Sequence, residues 1–405
     1  MRTAGTAASS GARTGRGAVR GPTALLTTAM AFSMMQLFLI GALGPHLVDR
    51  LGVSETLLGL TTTVGFGTAA VLSPVGGRVV DRIGPRRALV ALLLVSGAAL
   101  GLIGAAPGAA LLLAAVALGG LPQALANPAT NKAILAAVPA PERGAVTGAK
   151  QSGVQLGAFA AGLPLAAAAG VIGWRGAVWV AAGAALLAAL WAWRVLPADQ
   201  PPTGGARPLA SAPSGGLVPW LAAFSLFLGA GIASVNTYVA LFGAQRLGMG
   251  PAVAGVLVAV LGVAGIVGRV GWSRAATPRR APWLPSLLAG GAVGAAALLA
   301  AAVRVEPLVW VAAVAVGVFA VSGNAVSMVL VMQRSAPGRA GQDSALVAAG
   351  FFAGFAVGPP VFGRLAEDGR YGEGWVLVAV EFALAGAVAL VWALRDRRTT
   401  RSGPK

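Results

Sequence analysis

Four side chains on one stretch of this sequence have the chemistry to hold a polar solute away from water: Gln123, Asn127, Asn131 and Lys132. The run that carries them, LLLAAVALGGLPQALANPATNKAILAAV, is otherwise almost wholly apolar. Asn127 and Asn131 are four residues apart, so a helix places them on one face. Each amide both donates and accepts hydrogen bonds. Pro128 has no N–H to offer the carbonyl of Ala124, which lets the helix bend beside Asn127. A lysine in apolar surroundings is costly, so Lys132 has two readings. Either a bound carboxylate or similar anion offsets its charge, or its ammonium snorkels to a headgroup layer at the near end of the helix.

Other chemistries are poorly supplied. Cysteine is absent, which removes thiolate catalysis, disulfides and Cys-ligated metals. His46 is the sole histidine and cannot by itself build a metal site. A membrane-embedded enzyme needs clustered His, Asp, Glu or Cys at one face, and the sequence offers no such cluster. No Gly-rich loop ends in Lys-Ser or Lys-Thr, so the chain has no phosphate cradle of its own. The sequence thus gives no enzyme reading, no metal and no cofactor. Glu381 is the one acid deep in an apolar run, and Asp49 and Glu55 fall near the end of another.

The elements that position the polar residues follow from composition. Of the 405 residues, 57% are hydrophobic and 10% charged, with a mean hydropathy of +0.80. A soluble domain carries about 25% charged residues, so lipid must be the solvent for most of this chain. Long continuous apolar runs exclude a barrel, whose strands alternate over about ten residues. They define an all-α polytopic membrane protein of twelve spans, the first at 22–48 and the last at 372–395, each long enough for a hydrocarbon core of about 30 Å. The 59 glycines suit helices that pack closely in lipid.

The net charge of +18 would suggest nucleic acid in a soluble protein. Here most of the 30 Lys and Arg, Lys150 among them, cluster at alternate ends of the spans. Arg50, Arg175, Arg246, Arg304, Arg364 and Arg370 fall at the opposite ends. That bias puts both termini in the cytoplasm. Nucleic acid is not an expected partner; the lipid bilayer is. The chain divides into a disordered basic tail at 1–21, a six-helix bundle at 22–196, a Pro/Gly/Ser-rich linker at 197–215, a second bundle at 216–395 and a basic tail at 396–405. The halves look related. RLGVSETLLGL at 50–60 aligns with RLGMGPAVAGV at 246–256, and 148–164 aligns with 341–359. Six-span repeats of this kind place a solute site between the halves.

Between the second and third spans stands Gly77-Arg-Val-Val-Asp81-Arg82-Ile-Gly84-Pro85-Arg86-Arg87. It resembles the cytoplasmic loop pattern G-x-x-x-D-R-x-G-x-R-R of the major facilitator superfamily, in its usual place, and the resemblance extends over nearly the whole chain. Gly77 and Gly84 allow close approach and a tight turn. Asp81, among Arg82, Arg86 and Arg87, is placed to pair with arginines or with a neighbouring helix end, pairs that hold a cytoplasmic gate shut in one state. The copy before span nine lacks the acid, which makes the gate asymmetric. Glycines at four-residue spacing mark packing faces: Gly153, Gly157 and Gly162 with Pro164 in span five, and Gly354 and Gly358 with Pro359 in span eleven.

The resemblance implies that spans one, four, seven and ten line a central cavity. Its polar members are then Gln36, Gln123, Asn127, Asn131, Lys132, Asn236, Tyr238, Asn324 and Ser327. The Asn-Pro and Asn-Lys row also resembles bacterial permeases of small organic or inorganic anions, including cyanate-type permeases. These features together lead to a secondary transporter of a small polar solute, an anion among the candidates. Two six-helix halves work by alternating access, as a monomer in a bacterial inner membrane, with a proton or another ion as the possible coupling partner. Two other readings use the same sequence: an exporter of drugs or metabolites with this fold, and a non-transporting membrane sensor or structural protein.

Overall fold

The computed structural model describes residues 11–42, 51, 55–199, 216–249 and 251–401. His46, Asp49 and nearly all of the expected linker lie outside the described residues. The described residues are almost entirely helical: α1 Gly11–Ala42, α2 Glu55–Ile83, α3 Pro85–Ala105, α4 Ala109–Leu118, α5 Gly120–Ala137, α6 Arg143–Ala160 and α7 Ala166–Val195 in the first part. The second part holds α8 Leu217–Gln245, α9 Pro251–Ala275, α10 Leu284–Ala302, α11 Leu308–Ala315, α12 Val321–Arg334, α13 Ala340–Glu367 and α14 Tyr371–Arg401.

Several helices join end to end. Gly119 keeps helical geometry between α4 and α5. A π-helical turn at Ala161–Leu165 leads from α6 to α7, and another at Val316–Ala320 leads from α11 to α12. Gly173 breaks α7 with a φ of 74°, a left-handed conformation that other residues rarely adopt. Helix α1 already begins at Gly11, ahead of the start expected at residue 22, and Pro22 lies inside it. Ala12, Ala18, Arg13, Arg16 and Arg20 favour a helix in 11–21, and the glycines of that stretch do not.

Eight of the described helical stretches are long and apolar enough to cross a membrane by length and composition. Polar residues also occur along the other long helices: α2 carries Thr61–Thr63 and Arg78, α6 carries Lys150, Gln151 and Ser152, and α9 carries Arg269 and Arg274. Of these, Thr61, Lys150, Gln151, Ser152 and Arg269 are buried against other helices.

The two parts repeat one packing scheme. Helix α1 packs along α6 as α8 packs along α13, and α3 packs along α7 as α10 packs along α14. Two seams join the parts, α2 and α5 against α13 and α6 against α9. Glycine sets the approach in each. An added Cβ on Gly77 would come within 2.6 Å of Ala345 Cβ, and one on Gly148 within 2.7 Å of the Arg269 carbonyl oxygen. The α2–α13 seam continues through Phe66, whose ring lies 4.7 Å from that of Phe355 and 6.0 Å from that of Phe352. The Gly77 and Gly148 contacts lie toward the end of the molecule that carries Asp81, and the Phe66 contact lies about four helical turns further along α2.

Candidate functional site

A polar column runs down α4 and α5. Gly119, Gln123, Asn127 and Asn131 recur every four residues and so share a face. The Gln36 amide of α1 rests against Gly119, in space that a side chain on residue 119 would fill. Gln123 is fully buried, and neither its Oε1 nor its Nε2 has a hydrogen-bond partner. Gln36 Nε2 is likewise buried and unpartnered. Asn127 Oδ1 accepts from Lys150 Nζ at 3.1 Å and from Gln151 Nε2 at 2.7 Å. Asn131 Nδ2 donates across the interface to Ser344 Oγ at 2.8 Å, and its Oδ1 has no partner. From the other part, Asn324 of α12 is 4% exposed with an unpartnered Oδ1. Buried polar atoms nearly always find partners, so these unpartnered amide atoms mark candidates for a polar site.

The remaining cavity candidates sit elsewhere. The Ser327 hydroxyl donates back to the Gly323 carbonyl of its own helix at 2.9 Å. Tyr238 stacks on Phe362 at 4.7 Å and donates to the Pro359 carbonyl at 3.2 Å, which places it in the α8–α13 contact. Asn236 is half-buried on the same helix.

Lys132 is not part of the amide group. Its ammonium lies 3.1 Å from Asp81 Oδ1 and also donates to the backbone carbonyls of Val80 at 3.2 Å and Asp81 at 3.0 Å. The second Asp81 oxygen accepts the Gln342 backbone N–H at 3.1 Å, in the first turn of α13. A carboxylate at a helix N-terminus meets free N–H groups and a favourable dipole. Asp81 thereby joins α2, α5 and α13. The arginines of the loop do not pair with it. Arg82 and Arg87 are exposed, and the Arg86 guanidinium lies over the Trp193 ring at 4.3 Å.

Gly84 turns the chain with a φ of 89° so that α3 can start at Pro85. The first N–H groups of α3 are capped from far away. Asp199 Oδ1 accepts from Arg86 N at 2.8 Å and Oδ2 from Arg87 N at 2.9 Å. No local pattern flags Asp199, because its partners are over a hundred residues earlier.

The packing glycines divide by role. Gly153 and Gly157 bring α6 onto α1, and an added Cβ on Gly157 would meet the Ala31 carbonyl oxygen at 2.7 Å. Gly354 and Gly358 bring α13 onto α8, with Ala230 N 2.6 Å from a Cβ on Gly354 and Ala230 Cα 2.8 Å from one on Gly358. Gly162 and Pro164 fall in the π-helical turn at Ala161–Leu165.

Lys150 departs most from its expected place. Read from sequence as a topology-setting charge at a helix end, it is fully buried, with its ammonium on Asn127 and on Thr130 Oγ1 at 2.7 Å. Arg269 of α9, also buried, reaches across the seam to the Gln151 backbone carbonyl and bonds the Val321 carbonyl at 3.1 Å. The signal for Lys150 was available: it falls on the face shared with Gly153 and Gly157, a face that has to pack.

An all-helical, multi-pass membrane protein, built of two similar parts with a polar face enclosed between them, is the class this architecture defines. The chain belongs to the Major Facilitator Superfamily, whose model matches residues 26–346. The fold is that of the human organic anion transporter MFSD10 (TETRAN), with a TM-score of 0.76 at 16% identity over 91% of this chain and 99% of that one. The proton:xylose symporter XylE, bound to 6-bromo-6-deoxy-D-glucose, superposes with a TM-score of 0.75 at 16% identity over 92% of this chain and 95% of that one. No curated protein matches the sequence. The chain is a secondary transporter of a small solute across a lipid bilayer by alternating access, and not an enzyme.

Proposed function

We propose that the chain carries a small polar solute at a site near mid-membrane, bounded by Gln36, Gln123, Asn127 and Asn131 on one side and Asn324 on the other. The observation that carries this reading is the set of buried amide atoms without partners on Gln36, Gln123, Asn131 and Asn324. A solute that hydrogen-bonds them removes the penalty of leaving them unpaired, at about 1–3 kcal/mol each. In this reading twelve helices cross the inner membrane of a bacterium, both termini are cytoplasmic, and the Asp81 end is the cytoplasmic gate. The described arrangement is, in this reading, one in which the cytoplasmic gate is closed.

The test is solute counterflow into proteoliposomes loaded with sugars, amino acids, carboxylates or small inorganic anions. Cyanate belongs among the anions because the span-four Asn-Pro and Asn-Lys row resembles permeases of that type. Repeating the assay with an imposed pH or sodium gradient reads the coupling ion. Counterflow of one class, cut at least about tenfold by Gln123→Leu, is the expected result. Full activity in Gln123→Leu overturns the site, and no counterflow with any class overturns the solute reading.

A further inference from the structure

Lys150 and Arg269 are 0% and 3% exposed, and none of the ion pairs among the described residues includes either one. They stand on opposite sides of the α6–α9 seam, where Arg269 bonds the backbone carbonyl of Gln151, the residue next to Lys150. Buried cations normally pair with a carboxylate or another anion, and a second buried cation nearby adds to the cost. The groups that hold them are neutral. Lys150 Nζ uses Asn127 Oδ1 and Thr130 Oγ1, and Arg269 uses the backbone carbonyls of Val321 and Gln151. Neutral acceptors solvate a cation without cancelling its charge. They also leave donors over: an ammonium has three N–H bonds and a guanidinium five.

The position of the pair matters as much as its charge. Gly148 packs 2.7 Å from the Arg269 carbonyl oxygen and Gly144 packs 2.5 Å from that of Ser273, measured from an added Cβ. Those contacts seal the seam on the Asp81 side. Lys150 lies just beyond the seal, and its ammonium projects to Asn127, the middle of the amide column. The pair therefore forms the floor of the proposed solute site, with one cation from each part of the molecule.

We propose that Lys150 and Arg269 bind a small anion, a carboxylate or an inorganic oxyanion, that bridges the two parts when the Asp81 end is shut. The proposal rests on the transport reading above and names its substrate class. Lys132, the cation that the sequence suggested for this role, is already matched by Asp81. An anion held by both Lys150 and Arg269 favours the shut seam over the parted one, because only the shut seam brings the two cations together.

The probes are sodium sulfate, phosphate, oxalate, malonate and cyanate, titrated at constant ionic strength into the full chain in lipid nanodiscs, with thermal shift and calorimetry as readouts. At least one anion is expected to bind the wild type and to bind Arg370→Gln equally, since Arg370 is exposed and paired with Glu373. Lys150→Gln and Arg269→Gln are each expected to weaken that anion at least about tenfold. Should those variants fail to give a monodisperse protein, Lys150→Arg keeps the charge and moves it, and is expected to change the ranking of the anions. No anion binding to the wild type, equal binding in both Gln variants, or an unchanged ranking in Lys150→Arg overturns the proposal. Counterflow of a neutral solute with no anion binding overturns the anion site and leaves the transport reading standing. Anion binding without counterflow of any solute supports the site and overturns transport.

Discussion

The Lys132 ammonium lies 3.1 Å from Asp81 Oδ1, while the other oxygen of that carboxylate takes the Gln342 backbone N–H. One side chain thus links the last turn of α2 to both α5 and the first turn of α13. The link to Lys132 stays within the first part of the molecule, and the link to Gln342 crosses to the second. Asp81 is therefore a latch whose orientation is fixed by one part and whose hold is on the other. The chain has no cysteine, so a single introduced thiol reports on that latch without background labelling.

Asp81→Asn keeps an acceptor for the Gln342 N–H and removes the charge. A hydrogen bond to a charged group contributes roughly 1.5–3 kcal/mol against roughly 0.5–1.5 kcal/mol for a neutral one, so weakening it opens the α2–α13 seam more often, by up to about tenfold. In an Ala345→Cys background, aqueous maleimide is expected to label Asp81→Asn faster by that factor. Equal labelling rates with and without Asp81 rule out the latch.

Gly77→Val acts on the same seam through space rather than charge. Its Cβ would lie 2.6 Å from Ala345 Cβ and 2.8 Å from Gln342 Cα, so the seam cannot close fully. Overpacking of this kind costs about 1–3 kcal/mol and here falls on the shut state alone. Counterflow is expected to drop at least about tenfold. The milder Gly77→Ala should recover in part when combined with Ala345→Gly, which removes the nearest clashing atom. No recovery would show that Ala345 is not the obstacle.

Gly157→Val and Gly354→Val test a different contact. Both glycines lie where helices of one part pack on each other, α6 on α1 and α13 on α8. Those contacts hold whether the seam is open or shut. Each substitution is expected to lower Tm, consistent with about 1–3 kcal/mol, without changing the maleimide rate at Ala345→Cys. A changed rate with an unchanged Tm would place these glycines in the gate instead.

Asp199→Ala removes the cap from the N–H groups of Arg86 and Arg87. A lost cap costs about 1 kcal/mol. Asp199→Asn should fall between wild type and Ala, because an amide oxygen still accepts a hydrogen bond but brings no charge to the helix dipole. The measurement is the Tm of the three proteins in the same nanodiscs. Identical values would mean that the start of α3 needs no cap beyond Gly84 and Pro85.

Much of the architecture was legible before any coordinates. Apolar length, charge bias and the Gly77–Arg87 pattern are local signals, each contained in a few dozen residues, and they led to the helical membrane class and the family. The amide column of Gln123, Asn127 and Asn131 was legible for the same reason, since four-residue spacing fixes a shared face. Tyr238 shows where that logic stops. Its polar type gives no sign of which neighbour takes its hydroxyl, and the choice of Pro359 depends on how α13 lies on α8.

The sequence by itself determined which segments are helices, because hydrophobicity and backbone hydrogen bonding act within a segment. Tertiary structure alone decided the partner of each buried charge. Lys132 and Lys150 look alike in sequence, each a lone lysine in or beside an apolar run. Lys132 meets a carboxylate because α2 brings Asp81 across 51 residues of chain. Lys150 is held by the neutral Asn127 and Thr130, and Arg269 bonds the backbone of its neighbour Gln151 because Gly148 lets α9 close onto α6. Electrostatic energy depends on distances through space, and helix packing sets those distances.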